Sequence, residues 1–405
     1  MKVVFISPHF PYEMPRFTRG LAEVGAQVYG LGDVPLEQIP DDTKRWLTDY
    51  IHVPSLGDEE SVLRHALSAL RRLQPDRIEC LWEVGVELAA RLRAELGIAG
   101  LSPENARDFR DKDRMKARLD RAGLRVPRHY RVVSLADLQH AVKYIGFPLI
   151  IKPIDGAGTR DTFKLSNDAD LQAILPQIKH LPEMIAEEFI EGEEFTFDTV
   201  CIEGVPVFES IAQYHPNPLQ SRTLEWISPA QIVLRDPYIA PLADAVTFGR
   251  NVLGAMGTGT GFTHMEWFRK PNGEVVFGEI AARAPGGRLV DQMNYANDFN
   301  VYREWARAVC WHTFEQTPQR RYHVAAVFKR AQGQGRVTRI EGLEEVRREL
   351  GPALVVEELL PVGTPRRDWK QTLLGDGVLI ARHPDHDTML RIMGRLVTGI
   401  RMFAE

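Results

Sequence analysis

One turn signal constrains this chain more than any other feature. Asn272-Gly273 lies inside the stretch Gly261–Arg283, and this dipeptide favours a two-residue type I′ hairpin loop because both central residues need positive φ. In such a loop Pro271 faces Glu274, and counting outward sets Glu266 directly opposite Glu279. Period two places Phe262, Phe268 and Phe277 on the face of the acids, and Met265, Trp267, Val276 and Ile280 on the other. Both faces therefore look covered. Cross-strand Cβ atoms lie about 4.5–5.5 Å apart, where like charges destabilise. Two carboxylates so placed share a proton or bind a cation. Oxygen-only ligands favour Mg²⁺, held by one or two carboxylates together with substrate phosphates. The plain alternative is an exposed hairpin with solvated acids.

The N-terminal residues read as a β-α-β unit. Val3–Ile6 is a buried strand, Arg16–Val24 a helix ending at Gly25, and Gln27–Leu31 the next strand. Helical stretches at Glu60–Leu73 and Val86–Leu96 flank a strand at Asp76–Trp82. The natural product is a small doubly wound domain with a parallel sheet. No G-x-G-x-x-G follows its first strand, so dinucleotide binding there is not expected.

The chain has 405 residues, room for two to four domains at roughly 150 residues each. A net charge of -5, with acids interspersed among the arginines, gives no nucleic-acid signature. Cys80, Cys201 and Cys310 form no C-x-x-C pair, which indicates neither a zinc site nor a disulfide framework and fits a reducing cytoplasm. The apolar run at the N-terminus is too short for a signal peptide, and no run approaches the ~20 residues of a membrane span.

Further along, Asn105–Ala122 reads as one charged helix stopped by Gly123, and Ser134 caps a helix over 135–145. Phe147–Pro153 is an apolar strand carrying Lys152, followed by a loop through Gly156, Gly158 and Thr159. Met184–Ile190 is a strand; Glu194–Ile202 and Val205–Ser210 form a hairpin around Glu203-Gly204. Residues 212–230 read as an irregular, Pro-rich mobile loop, 242–255 as a helix, and the stretch after Gly287 as helix through 311. The remainder is mixed α/β and ends in an amphipathic stretch, Thr388–Met402.

Several of these pieces suit an anion. Glycines let backbone N–H groups approach a phosphate, and Lys152 adds charge, although the loop is not a Walker A motif. The acidic segment Ile185–Asp198 is either an edge strand protected from aggregation or a hinge whose backbone meets a purine and whose later acid bonds a ribose. Arg283, four residues beyond Glu279, shares its face if the strand continues, and its planar fork suits a carboxylate or acyl phosphate. A salt bridge to one of the glutamates is its structural alternative. His9, His52, His264 and His323 lack ligand spacing and read as packing or surface residues.

Taken in order, these pieces resemble the ATP-grasp superfamily of carboxylate–amine ligases, well over residues 1–310 and loosely beyond. The resemblance implies an α/β and α+β fold: a Rossmann-like domain (1–103), an ATP-grasp core (104–315, small lobe 125–190, large lobe 191–315) and a C-terminal α/β subdomain (316–405). It implies phosphate contacts from Lys112, Lys152 and the loop at Gly156, Gly158 and Thr159. It places the adenine hinge at Glu187, Glu188 and Ile190, the ribose acid at Glu194 and the Mg²⁺ (or Mn²⁺) ligands at Glu266 and Glu279. Arg283 with Pro285-Gly-Gly287 resembles the substrate segment of the L-amino acid ligase branch. Two departures stand out. Ala281 occupies a position where many relatives have a metal-ligating Asn, and Asp161 replaces a frequent glycine. The implied activity is ATP-dependent joining of a small carboxylate to an amine through an acyl phosphate, in a cytoplasmic protein open to homodimerisation. The alternatives are a carboxylase or purine-pathway relative acting on bicarbonate, and a non-catalytic nucleotide binder.

Overall fold

The computed structural model describes residues 1–156, 161–178, 183–372 and 374–405. Strands β1 (Lys2–Ile6), β2 (Gln27–Gly32), β3 (Asp49–His52) and β4 (Arg77–Cys80) form a parallel sheet in the order β3-β2-β1-β4. The expected β-α-β opening is there, with its first helix at Met14–Glu23. Val4 and Ile6 face one core with Leu31, Ile78 and Leu88, and Val3 and Phe5 face another with Trp305. Burial on both faces explains why β1 reads as an unbroken apolar run.

A second sheet is antiparallel: β5 (His129–Val132), β6 (Leu149–Pro153), β7 (Phe163–Leu165) and β8 (Met184–Glu188), in the order β5-β8-β6-β7. Leu149, Ile151 and Ala186 point into a core of their own, against Leu138 and Ala141 of the helix that Ser134 caps. The opposite face therefore carries Ile150, Lys152 and Glu187.

The largest sheet has eight antiparallel strands. It contains β9 (Glu193–Ile202), β10 (Val205–His215), β11 (Ala230–Val233), β12 (Gly261–Arg269), β13 (Val275–Ala281) and β14 (His323–Lys329). Strands β15 (Gln332–Gly333) and β16 (Val337–Glu341) leave to pair with β19 (Arg401–Ala404). β17 (Leu354–Leu359) and β18 (Gly377–His383) return, giving the order β13-β12-β9-β10-β11-β14-β18-β17. The sheet thus runs on across residue 315. One face packs on the helices Ala243–Met256 and His386–Gly399. The other packs on Leu289–Asn297, Val301–Trp311 and the first helix of the chain.

Four expectations need correction. The stretch Asn105–Ala122 is two helices, Pro103–Asp108 and Lys112–Arg121, because Asp111 leaves the helical conformation and accepts from the N–H groups of Asp113 and Arg114 as an N-cap. The stretch after Gly287 is likewise two helices, divided where Asp298 turns left-handed. Residues 212–230 are not irregular throughout. β10 extends to His215, and Asn217 caps a short helix, Pro218–Thr223. The stretch Thr388–Met402 divides between a helix ending at Gly399 and β19.

The hairpin at Asn272-Gly273 holds a subtler correction. Arg269 pairs with Val275, and the N–H of Lys270 reaches the carbonyl of Glu274, so the loop has three residues, with positive φ only at Gly273. The two-residue loop with positive φ at both positions is Glu203-Gly204 instead. The register then shifts between Glu266 and Trp267, at Gly278. This bulge restores the pairing of Glu266 with Glu279 but exchanges Phe277 and Val276 between faces. Phe277 accordingly joins Met265, Trp267 and Ile280 in the core away from the acids. A Cβ at residue 278 would lie 2.8 Å from the carbonyl oxygen of Glu266, so the bulge demands glycine.

Candidate active site

Three lysines and a set of glutamates converge where the helix Lys112–Arg121, the small sheet and the β12–β13 hairpin meet. Lys112 is the first residue of its helix, and its Nζ lies 3.2 Å from Glu279 Oε1 and donates to the carbonyl of Gly156. Lys152 Nζ lies 3.0 Å from Glu187 Oε2 and 3.8 Å from Glu279 Oε2. Residues 152 and 187 are diagonal neighbours on one sheet face, which is why this pair forms. Lys116, one helical turn beyond Lys112, completes the group. Its Nζ lies 2.8 Å from Glu187 Oε1 and donates to the carbonyl of Gly278 at 3.0 Å.

The charges are mutually fixed. Burial alone would raise the Glu279 carboxyl, but the ammonium groups of Lys112, Lys152 and Lys116 outweigh it and hold the group at about 2. Burial opposes the charge on Lys152, and Glu187 and Glu279 more than offset it, so this ammonium stays protonated. Lys116 is fully enclosed, and burial draws it down to about 8 despite Glu187. Glu194, on β9, has its carboxyl raised by burial and further by the neighbouring charge of Glu266. Repulsion of this kind marks a position made for positive charge or a polar ligand.

The structure therefore brings Lys112, Lys152, Gly156, Glu187, Glu194, Glu266 and Glu279 together. Gly158 and Thr159 lie outside the described residues. Asp161 has φ +53, a left-handed conformation that aspartate tolerates and glycine adopts freely. Glu188 turns its carboxylate to Arg125 (3.2 Å) and to the N–H of Arg128 (3.1 Å), and Ile190 is buried.

Arg283 stands apart from its expected position. β13 ends at Ala281, so strand periodicity does not carry to it. Its Nε pairs with Glu83, in the turn after β4, and not with Glu266 or Glu279; Arg110 holds the other oxygen of Glu83. Burial favours the neutral form of Glu83, but Arg283 and Arg110 keep it ionised. The pair joins the N-terminal sheet to the segment after β13.

Sequence reading missed Lys116, Glu83 and a buried polar chain behind Glu266. For Lys116 the available signal was its i, i+4 spacing from Lys112. His264, read as a packing or surface residue, is buried directly across from Ala281. Its Nδ1 lies 2.6 Å from Asp198 Oδ1, whose other oxygen accepts from Thr196 at 2.7 Å. Burial opposes its charge, but Asp198 raises the imidazole to about 9; Nε2 lies 3.7 Å from Glu266 Oε1, close enough for charge attraction but not for a hydrogen bond. Tyr214 donates to the same oxygen at 3.2 Å.

Glu266 and Glu279 offer oxygen only, and among the described residues no group of three His, Cys, Asp or Glu side chains is arranged to hold a metal. The pair fits Mg²⁺, which takes one or two carboxylates and completes its shell from phosphate and water.

Residues 109–222 match the ATP-grasp domain family, and the chain has the ATP-grasp fold. Two of its relatives are ligases. The chain is 29% identical over 249 residues to the L-arginine-specific L-amino acid ligase of Bacillus subtilis, a match covering 60% of this chain and 59% of that protein. To the alanine–anticapsin ligase of Bacillus subtilis (strain 168) it is 27% identical over 185 residues, covering 41% of this chain and 39% of the relative. The chain thus matches less than two thirds of either protein. Among solved structures it superposes on an L-amino acid ligase from Bacillus licheniformis with a TM-score of 0.79 at 18% identity, covering 100% of this chain and 98% of the other. N5-carboxyaminoimidazole ribonucleotide synthetase from Thermotoga maritima gives 0.72 at 19%, covering 100% and 99%. At these identities the structural likeness speaks for the fold alone. No described helix is long and apolar enough to cross a membrane.

Proposed function

We propose that this chain is an ATP-dependent, ADP-forming carboxylate–amine ligase. The observation that carries the reading is the meeting of Lys112 and Lys152 on Glu279, beside Glu266 and Glu194. A nucleotide binder needs cations for phosphate, but acids set among those cations suit a metal-bound triphosphate.

In this reading the γ-phosphoryl group passes to a substrate carboxylate oxygen, giving an acyl phosphate and ADP. An amine then attacks the acyl carbon, loses a proton and displaces inorganic phosphate, leaving an amide. Lys112 and Lys152 hold phosphate oxygens; Glu194 bonds the ribose hydroxyls; the backbone from Glu187 to Ile190 meets the purine. Mg²⁺ held by Glu266 and Glu279 would neutralise phosphate charge. Arg283 stabilises the carboxylate and the acyl phosphate formed from it. The protein contributes positioning and charge, with little covalent chemistry of its own. The sequence likeness to two amino-acid-joining enzymes supports an amino acid as one substrate.

The test is ADP release across a panel of amino acids, other small carboxylates and bicarbonate, with and without Mg²⁺. The reading expects Mg²⁺-dependent release that needs both an acid and an amine. ADP release with bicarbonate alone points to the carboxylase-type relative, and ATP binding without acid-dependent release points to a non-catalytic protein.

A further inference from the structure

The face of the eight-stranded sheet opposite Glu266 carries a cavity of about 500 Å³, within the range of small-molecule sites. It lies between the ends of β10 and β14, the helix His386–Gly399 and β19. Lys329 and His215 reach it from the same sheet face as Val327 and Ile211, whereas Glu266 shares its face with Phe262. The sheet therefore separates this cavity from the nucleotide site.

Its wall is cationic. Lys329, Arg330 and Arg401 line it beside His215, whose imidazole burial shifts toward the neutral form; there is no aspartate or glutamate, and most of the rest is apolar, including Trp226, Met393 and Val397. Lys329 is 2% exposed, and its Nζ donates to the carbonyls of Leu396 (3.2 Å) and Val397 (2.8 Å) in the last turn of the helix. No carboxylate pairs with it among the described residues, and burial draws its ammonium down to about 8. Arg330 donates to the carbonyls of Leu224 (2.8 Å) and Ser221 (2.9 Å), and its Nε is buried without a partner, as is Nε2 of His215. Arg401 has an acidic partner, Glu341 at 3.1 Å, but that residue lies outside the cavity lining. Buried charge of one sign is costly unless a counter-charge enters.

We propose that this cavity binds a small organic anion with an apolar body and no amine, at a site separate from the nucleotide cleft. Lys329 meets the anionic head from the floor and Arg401 from the rim. Trp226, Met393 and Val397 cover the body. An amino acid fits less well, because no acid in the wall takes its ammonium group. A carboxylate and a phosphate monoester share the required chemistry.

Calorimetry on the full chain tests this with 4-phenylbutyrate, 2-phenylethyl phosphate and 4-phenylbutylamine. At least one anion should bind saturably, with an affinity unchanged by saturating ATP, and the amine about tenfold or more weaker. The stronger of the two anions identifies the head group. Lys329→Met should weaken the anion about tenfold or more. Because Lys329 is buried, two further variants leave the core intact. A Cβ at Gly394 meets no atom within 4 Å, so Gly394→Leu enters open space in the cavity wall and should abolish binding while Tm is retained. Arg401→Ala, at a side chain 61% exposed, should weaken the anion without unfolding the protein. Failure of both anions to bind saturably, equal binding of the amine, displacement by ATP, or wild-type affinity in Gly394→Leu would each overturn the proposal.

Discussion

Lys116 and Glu187 form an enclosed ion pair: Nζ lies 2.8 Å from Oε1, with side-chain exposures of 0% and 7%. Lys116 also donates to the carbonyl of Gly278, so one ammonium ties the helix Lys112–Arg121 to β8 and to β13. Removing one partner of a buried pair costs about 3–5 kcal/mol. Glu187 retains Lys152, so Lys116→Met should fall near the lower end, about 3 kcal/mol. Chemical denaturation measures this, and unchanged stability would show that the pair is not a structural tie.

A second prediction concerns Gly278. Its Cβ would approach the Glu266 carbonyl to 2.8 Å, with backbone on one side and Phe268 at 3.2 Å on the other. Overpacking of this kind costs about 1–3 kcal/mol. Gly278→Ala should destabilise by that amount and displace Glu266 from Glu279. ATP turnover per folded molecule should therefore fall. A variant with normal turnover would mean that the bulge does not set the spacing of the two acids.

The bulge also shows what sequence could and could not supply. Asn272-Gly273 pointed to a hairpin, and the pairing of Glu266 with Glu279 is as expected, although the turn has a different loop length. A three-residue loop and a bulge at Gly278 offset one another, and only the faces of Phe277 and Val276 reveal the exchange. Local signals, such as the cap at Ser134 or the apolar run of β1, were accessible because they depend on neighbours in the chain. The ion pair of Arg283 with Glu83 was not, since 200 residues separate them and nothing near either one specifies the other. His264 needed Asp198 on the adjacent strand before it became more than a core histidine.

The Glu279 carboxyl gives a pH prediction. Its folded value of about 2 lies below the ordinary 4.5. Above 4.5 the carboxylate is ionised folded or unfolded, and its full stabilisation is present. As pH falls from there toward about 2, the unfolded chain binds the proton first, and the stabilisation is lost. The loss amounts to about 3 kcal/mol. Glu279→Gln should be less stable than wild type at pH 7 and should lack this component of the acid loss. It should also lose ATP turnover. Parallel stability curves for the two proteins between pH 5 and 3, read by denaturation, would contradict the assignment.

Arg283 distinguishes ligase from nucleotide binder. Arg283→Lys keeps the charge but loses the planar fork that holds Glu83 and, in the proposed reaction, would hold the acyl group. ATP affinity should change little, and acid-dependent ADP release should fall by roughly 10²-fold or more. Glu83→Gln separates the structural contribution: it should lower Tm and reduce turnover less than Arg283→Lys does. If the two variants lose turnover in equal proportion to folded protein, Arg283 acts only as an interdomain tie.

In the proposed reaction a substrate carboxylate oxygen attacks the γ-phosphorus. Isotope transfer tests it most directly. The protein is incubated with ATP, Mg²⁺, an amine and a carboxylate labelled with ¹⁸O in both oxygens, and the released phosphate is analysed by mass spectrometry. The acyl phosphate route predicts one ¹⁸O in each inorganic phosphate released with product. Phosphate that carries no label while product forms would contradict it.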